Sequence, residues 1–172
     1  ASTGAGSEEM VVDRIGMFPG SFDPVTLGHL DILGRSLHLF DRMIVAVAEA
    51  GHKQTLFPLE ERVEMLRESL SAEQSALVEV TPFRGLLVDF ARQRRVHGVI
   101  RGLRFVSDFE YEFQMVLMNQ RLAPDVDTIF LMPTAQYTFL NASLVKEVAR
   151  NGGSVEGLVP PGVIRRLKAR FG

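Results

Sequence analysis

Cysteine is absent from this 172-residue chain, and that gap removes disulfides, thiolate metal sites and cysteine nucleophiles together. Long apolar runs are absent too: each hydrophobic stretch is short and broken by charge, so no transmembrane span is expected. Neither sign of charge dominates. With 19 Lys and Arg against 21 Asp and Glu, the net charge is −2, which gives no global basic field for nucleic acid. His38, His52 and His97 lack metal-ligand spacing; His38 and His97 read as structural, and His52 as a loop residue.

What is present suits one soluble globular domain, 46% hydrophobic and 23% charged. A domain of this length buries roughly 70% of the surface its unfolded chain exposes. The opening "ASTGAGSEEM" lacks the apolar core of a signal peptide. Residues 1–11 therefore read as a disordered leader or tag remnant and 12–172 as a single domain, cytoplasmic by default.

Short apolar strands alternate with helical patterns. Strands are expected at 13–18, 42–48, 76–80, 97–100 and 127–132. Helices are expected at 28–40, with Leu30, Leu33, Leu37 and Phe40 on one face, and at 59–70, with Leu59, Val63, Leu66 and Leu70 inward. Others are expected at 86–95, at 107–121 behind a Ser107–Glu110 capping box, at 141–150, and from about Val163. Phe109, Phe113 and Val116 read as core of the fourth of these. Such alternation implies an α/β fold, a five-stranded parallel sheet with helices on both faces.

In such sheets ligands bind outside the carboxyl ends of the strands, and there the unusual residues collect. The first strand runs into "FPGSFDPVTLGHL" (18–30), with Ser21 and His29. Gly20 allows close backbone approach, Pro19 and Pro24 stiffen the path, and Gly28 begins a helix with free N–H groups. The second strand leads to Lys53, the fourth to Arg101 and Arg104, the fifth to "PTAQYTFLNAS" and another helix N-terminus. One His, one Lys, two Arg and two helix N-termini at one sheet edge make an anion site suited to a polyphosphate. It is not a Walker loop, because the spacing from Gly20 to Gly28 is too long and His29 stands where Lys-Ser/Thr belongs.

The stretch "GSFDPVTLGH", with Thr26-Leu27-Gly28-His29, resembles the nucleotidyltransferase superfamily signature. Adding "HKQTLFPLEERVEML", "VIRGLRFVSDFEYEFQM", "FLMPTAQYTFLNASLVKEVA" and "VPPGVIRRLK" makes the chain resemble the bacterial phosphopantetheine adenylyltransferases from residue 13 to 171. The resemblance implies a Rossmann-like nucleotidyltransferase fold and transfer of the adenylyl group of ATP to 4′-phosphopantetheine. The products would be dephospho-CoA and pyrophosphate, formed by in-line attack without a covalent intermediate.

The same resemblance implies His29 as transition-state stabiliser, with Lys53 and Arg104 also catalytic. It places ATP against Ser21, Phe22, His29, Gly102, Leu103, Arg104, Glu112 and the run Tyr137, Thr138, Phe139, Leu140, Asn141, Ala142 and Ser143. Phosphopantetheine falls to Ser21, Lys53, Leu87 and Arg101, although Leu87 serves equally well as plain core. In "FLNAS" this chain departs from the family's usual run of serines, so side-chain contacts at 141 and 142 are in question while the helix N–H groups are not. Mg²⁺ is expected with ATP and without a dedicated protein cage, coenzyme A as feedback inhibitor, and a homohexamer.

Three other readings compete. A different adenylyl- or cytidylyltransferase of the superfamily shares the first motif. A non-catalytic nucleotide-binding module is disfavoured by Ser21, His29, Lys53, Arg101 and Arg104 occurring together. A nucleic-acid binder would use the basic tail (Arg165, Arg166, Lys168, Arg170), for which a solvated face is the simpler account.

Overall fold

The structure, a computed structural model, describes residues 11–49, 54–104 and 106–172, the side chains of 106–108 excepted. In chain order it runs β1 (Ile15–Gly20), α1 (Leu27–Ser36), β2 (Arg42–Ala48), α2 (Leu59–Ser69), α3 (Ala72–Leu77), β3 (Val78–Phe83), α4 (Leu87–Gln93) and β4 (Gly98–Gly102). Then come α5 (Val106–Leu122), β5 (Asp127–Leu131), a 3₁₀ turn (Ala135–Tyr137), α6 (Ala142–Arg150) and α7 (Pro161–Phe171).

The five strands form one parallel sheet in the order β3-β2-β1-β4-β5, as the alternation predicts. The chain builds outward from β1 on one side, then returns to its other side with β4. This reversal is the switch point at which such sheets open a crevice. β1 and β2 pair along their whole length, from Ile15–Arg42 to Gly20–Val47. β1 and β4 pair only at Gly16–Gly98 and Met17–Val99, and beyond that point the cavity opens.

Apolar runs such as "RMIVAVA" are continuous because both sheet faces are covered. Side chains alternate along each strand. Phe18, Val45 and Val47 join Leu33, Leu66, Val163 and Leu167 on one face, while Met17, Ile44, Ala46 and Val99 join Val88, Ala91 and Val96 on the other. Among the described residues no helix is long and apolar enough to cross a membrane.

The structure corrects several expectations. Residues 76–77 end a short helix, α3, and the strand starts at Val78. A capping box explains it: Gln74 N–H donates to Ser71 Oγ at 3.1 Å, and Ser71 N–H to Gln74 Oε1 at 3.0 Å. Helix α5 begins at Val106, one residue ahead of Ser107, so Ser107 does not precede the helix; its side chain lies outside the described ones. Helix α1 stops at Ser36, so Leu37 and Phe40 pack after it, with Phe40 buried. Phe109 and Phe113 are not core. They are 41% and 46% exposed and stack on each other at 5.6 Å. Helix α5 carries apolar side chains on more than one face: Met115 and Val116 line the cavity, and Leu117, Met118 and Leu122 are also exposed.

Candidate active site

Helix α1 starts on a reciprocal cap that also sets the histidine. Thr26 is the N-cap: its Oγ1 accepts from His29 N–H at 3.3 Å, and its own N–H donates to His29 Nδ1 at 3.0 Å. A nitrogen that accepts carries no proton, so the neutral ring holds its proton on Nε2. Burial, and secondarily the Arg104 guanidinium, lower the His29 pKa from 6.5 to about 4. At neutral pH the ring is therefore an uncharged Nε2–H donor. The Phe22 ring meets it edge-on at 4.9 Å. Phe22 takes a left-handed backbone, φ 49°, which tucks its side chain inward. A Cβ on Gly20 would come within 3.1 Å of that ring, so Gly20 makes room for Phe22 besides lining the cavity.

At the end of β4 the two arginines diverge. Arg101 forms a two-pronged pair with Glu112 of α5, Nη2 to Oε1 at 2.8 Å and Nε to Oε2 at 3.1 Å. Arg104 donates from Nη1 to Leu140 O at 3.4 Å, which ties the end of β4 to the loop entering α6. That loop is anchored at its other end by Asp31 of α1, whose carboxylate accepts from Thr134 N–H at 3.0 Å and from Thr134 Oγ1 at 2.9 Å. Asn141 caps α6 by accepting from Leu144 N–H at 2.8 Å. The other first-turn N–H groups keep the positive end of the helix dipole.

Beneath the cradle lies a polar clamp that was not expected from the sequence. Arg62 is 1% exposed and donates to Phe57 O at 3.1 Å, Ser21 O at 2.7 Å and Ala48 O at 2.9 Å. Burial lowers its pKa, opposed by the charges of Asp23 and Glu60. Asp23 accepts from Leu56 N–H and Phe57 N–H, each at 2.9 Å, and from Lys146 Nζ at 3.0 Å. The signal for Arg62 is its place on the apolar stripe of α2, three residues after Leu59 and four before Leu66.

These elements surround a cavity of about 600 Å³, within the range of small-molecule sites. Of the residues expected at the site, Ser21, Phe22, His29, Leu87, Arg101, Gly102, Arg104, Glu112, Tyr137, Leu140, Asn141 and Ala142 line it. Leu103, Thr138, Phe139 and Ser143 are not in its lining. Leu103 N–H pairs with Leu131 O across β4 and β5, and Phe139 is half exposed. Lys53 and His52 lie outside the described residues. Phe83, Leu86, Tyr111, Met115, Val116 and Asn119 line the cavity without having been anticipated. His97 is structural, accepting from Ile15 N–H at Nδ1 at 3.0 Å. No group of three or more His, Asp or Glu side chains among the described residues could hold a metal ion.

The parallel sheet, with its crevice at the switch point, brings His29, Arg101, Arg104 and the N-terminus of α6 around one cavity. The cytidylyltransferase-like family model matches residues 17–148. The chain is 50% identical over 159 residues to a phosphopantetheine adenylyltransferase of Moorella thermoacetica, covering 92% of this chain and 98% of that one. It is 53% identical over 159 residues to the enzyme of that name from Nitrosomonas eutropha, covering 92% and 95%. Fold likeness extends to a bifunctional NMN adenylyltransferase/ADP ribose pyrophosphatase of Francisella tularensis, with a TM-score of 0.66 at 15% identity over 93% of this chain and 52% of that one. The chain belongs to the phosphopantetheine adenylyltransferase family.

Proposed function

We propose that the chain transfers the adenylyl group of ATP to 4′-phosphopantetheine, giving dephospho-CoA and pyrophosphate. The observation that carries this reading is the meeting, in one cavity, of the His29 donor, the two arginines and the α6 N-terminus. A phosphate oxygen of the acceptor attacks the α-phosphorus, forming one P–O bond as the bond to the pyrophosphate bridging oxygen breaks. The electron pair leaves with pyrophosphate, so no covalent enzyme intermediate and no protein base are required.

Catalysis then rests on positioning and on charge stabilisation. His29 Nε2–H donates to the α-phosphate oxygen on which charge accumulates, and Arg104 adds positive charge beside it. The N–H groups of α6 take the outer phosphates of ATP, which arrives carrying Mg²⁺. Arg101 and Lys53 hold the acceptor phosphate, and the apolar wall of Phe83, Leu86 and Leu87 takes the pantetheine arm. We further infer that the uncovered apolar face of α5 is buried by other copies in a homohexamer, that coenzyme A competes for the pantetheine side, and that the enzyme works in the cytoplasm.

The test is pyrophosphate release from ATP with a panel of acceptors. Release dependent on phosphopantetheine, and not on nicotinamide mononucleotide or on other phosphorylated acceptors, is expected. Release with another acceptor, or ATP binding without release under every condition, contradicts the reading.

A further inference from the structure

Asp23 stands two residues after Ser21 and three before the Thr26 cap, inside the cradle, and it is 5% exposed. Its carboxylate joins three separate pieces of chain. The cradle carries it, Leu56 and Phe57 donate backbone N–H groups to it at 2.9 Å, and Lys146 of α6 donates Nζ at 3.0 Å. Phe57 is held at both of its peptide groups, since its carbonyl accepts from Arg62, which also grips Ser21 O. Lys146 lies one helical turn beyond Ala142, on the same face of α6, and Ala142 lines the cavity. The Asp23 carboxylate is thus tied both to the segment that holds Ser21 and to the helix whose N-terminus closes the cavity.

A buried ion pair is a poor way to gain stability, because desolvation offsets much of the attraction and an apolar pair of similar volume often serves as well. What such a pair supplies is direction: Lys146 has to meet a carboxylate already oriented by two backbone N–H groups. We propose that the Asp23–Lys146 pair is a positioning device for the transfer, holding α6 and residues 56–57 at a fixed distance from the Ser21–His29 cradle. This rests on the reading of the cavity as an adenylyl-transfer centre. Neither side chain lines the cavity. Their effect is on alignment, and in-line attack is sensitive to alignment: a misplacement of about 1 Å costs on the order of 10²-fold in rate.

Three variants test it in the full chain: Lys146→Met, which keeps the stem and removes the charge, Lys146→Arg, which restores it, and Asp23→Asn. Turnover is measured well below each melting midpoint, with ATP and phosphopantetheine binding followed separately by calorimetry. Lys146→Met is expected to lower kcat by about 10- to 100-fold while both affinities stay within about threefold. Lys146→Arg is expected to recover kcat to within about threefold, since a guanidinium also pairs with a carboxylate. Amide exchange at Leu56 and Phe57 is expected to quicken by about tenfold or more in Lys146→Met with the rest of the chain still protected.

If wild type turns over and Lys146→Met stays within about threefold of it in kcat, the positioning role is wrong. It is equally wrong if the loss appears only in the KM values, or if it tracks the fraction unfolded. Should Asp23→Asn fail to fold, the two Lys146 variants decide. A wild-type chain without pyrophosphate release overturns the proposed function instead. In that event unchanged exchange at Leu56 and Phe57 in Lys146→Met still overturns the clamp.

Discussion

Arg101 and Glu112 share two hydrogen bonds, Nη2 to Oε1 at 2.8 Å and Nε to Oε2 at 3.1 Å, between the end of β4 and the cavity side of α5. The family resemblance gives the two residues to different substrates, yet they act on each other. With Nε–H and one Nη2–H engaged, Arg101 keeps both N–H groups of Nη1 and one of Nη2, and Glu112 sets where they lie.

Arg101→Ala is therefore expected to weaken phosphopantetheine binding by about 1.5–3 kcal/mol, the worth of a charge-assisted contact, and ATP binding by less. Glu112→Ala should show part of the same loss, and the double variant little more than Arg101→Ala alone, because the pair acts as a unit. Arg104→Ala should weaken ATP more than phosphopantetheine. Calorimetry with each substrate decides; equal losses for both ligands in all variants would mean one undivided anion patch.

His29 is held neutral by burial and by Arg104, with its pKa lowered from 6.5 to about 4. An NMR titration of the ring should show its midpoint near that value, and Arg104→Gln should move it upward. As pH falls from 6.5 toward 4, the unfolded chain takes up a proton that the native ring refuses, so stability present above that window is lost on acidification. A ring midpoint at or above the ordinary histidine value would contradict the geometry of the cap.

Arg62 donates to carbonyls on three segments, at Ser21, Ala48 and Phe57. Replacing it with Met would leave those carbonyls without their donor and lower stability by about 3–5 kcal/mol. Arg62→Lys should recover little, because one ammonium on a flexible stem does not reproduce the fixed fork of the guanidinium. Urea unfolding measures both. A loss below about 1 kcal/mol in Arg62→Met would show that water replaces the guanidinium at little cost.

At "FLNAS" the cap is intact: Asn141 accepts from Leu144 N–H at 2.8 Å. Asn141→Ser should leave stability nearly unchanged, since both residues cap well, whereas Asn141→Ala should cost about 1 kcal/mol. Asn141→Ser with Ala142→Ser should change kcat/KM for ATP by less than about tenfold, because the proposed function assigns the phosphates to backbone N–H groups of α6 and an added hydroxyl contributes only about 0.5–1.5 kcal/mol. A gain of about a hundredfold would show that hydroxyls, not backbone groups, carry the contact.

Most of the sheet is legible in the sequence because burial on both faces leaves an unbroken apolar signature, as in "RMIVAVA", and because the site motifs fall at strand ends. His29 is legible for a local reason: its partner Thr26 is three residues away. Asp23 and Lys146 are not, because what defines them is pairing over long stretches of chain, 33 residues from Asp23 to Leu56 and 123 from Asp23 to Lys146; Arg62 leaves only its place on the apolar stripe of α2 as a signal. Helix α3 is hidden because "ALVEV" is a short apolar, valine-containing run that reads as a strand, which the Ser71–Gln74 cap overrides up to Leu77. For Phe109 and Phe113, apolar character does not amount to burial, because α5 has more apolar surface than one chain covers.

The most direct test of the account is His29→Ala, read in single-turnover rate and in ATP affinity together. A neutral Nε2–H donor aimed at charge that develops only during transfer predicts a fall in rate of about 10²–10³-fold, with ATP affinity within about threefold of wild type. A rate within a few-fold of wild type, or an ATP affinity that falls as far as the rate, would contradict it.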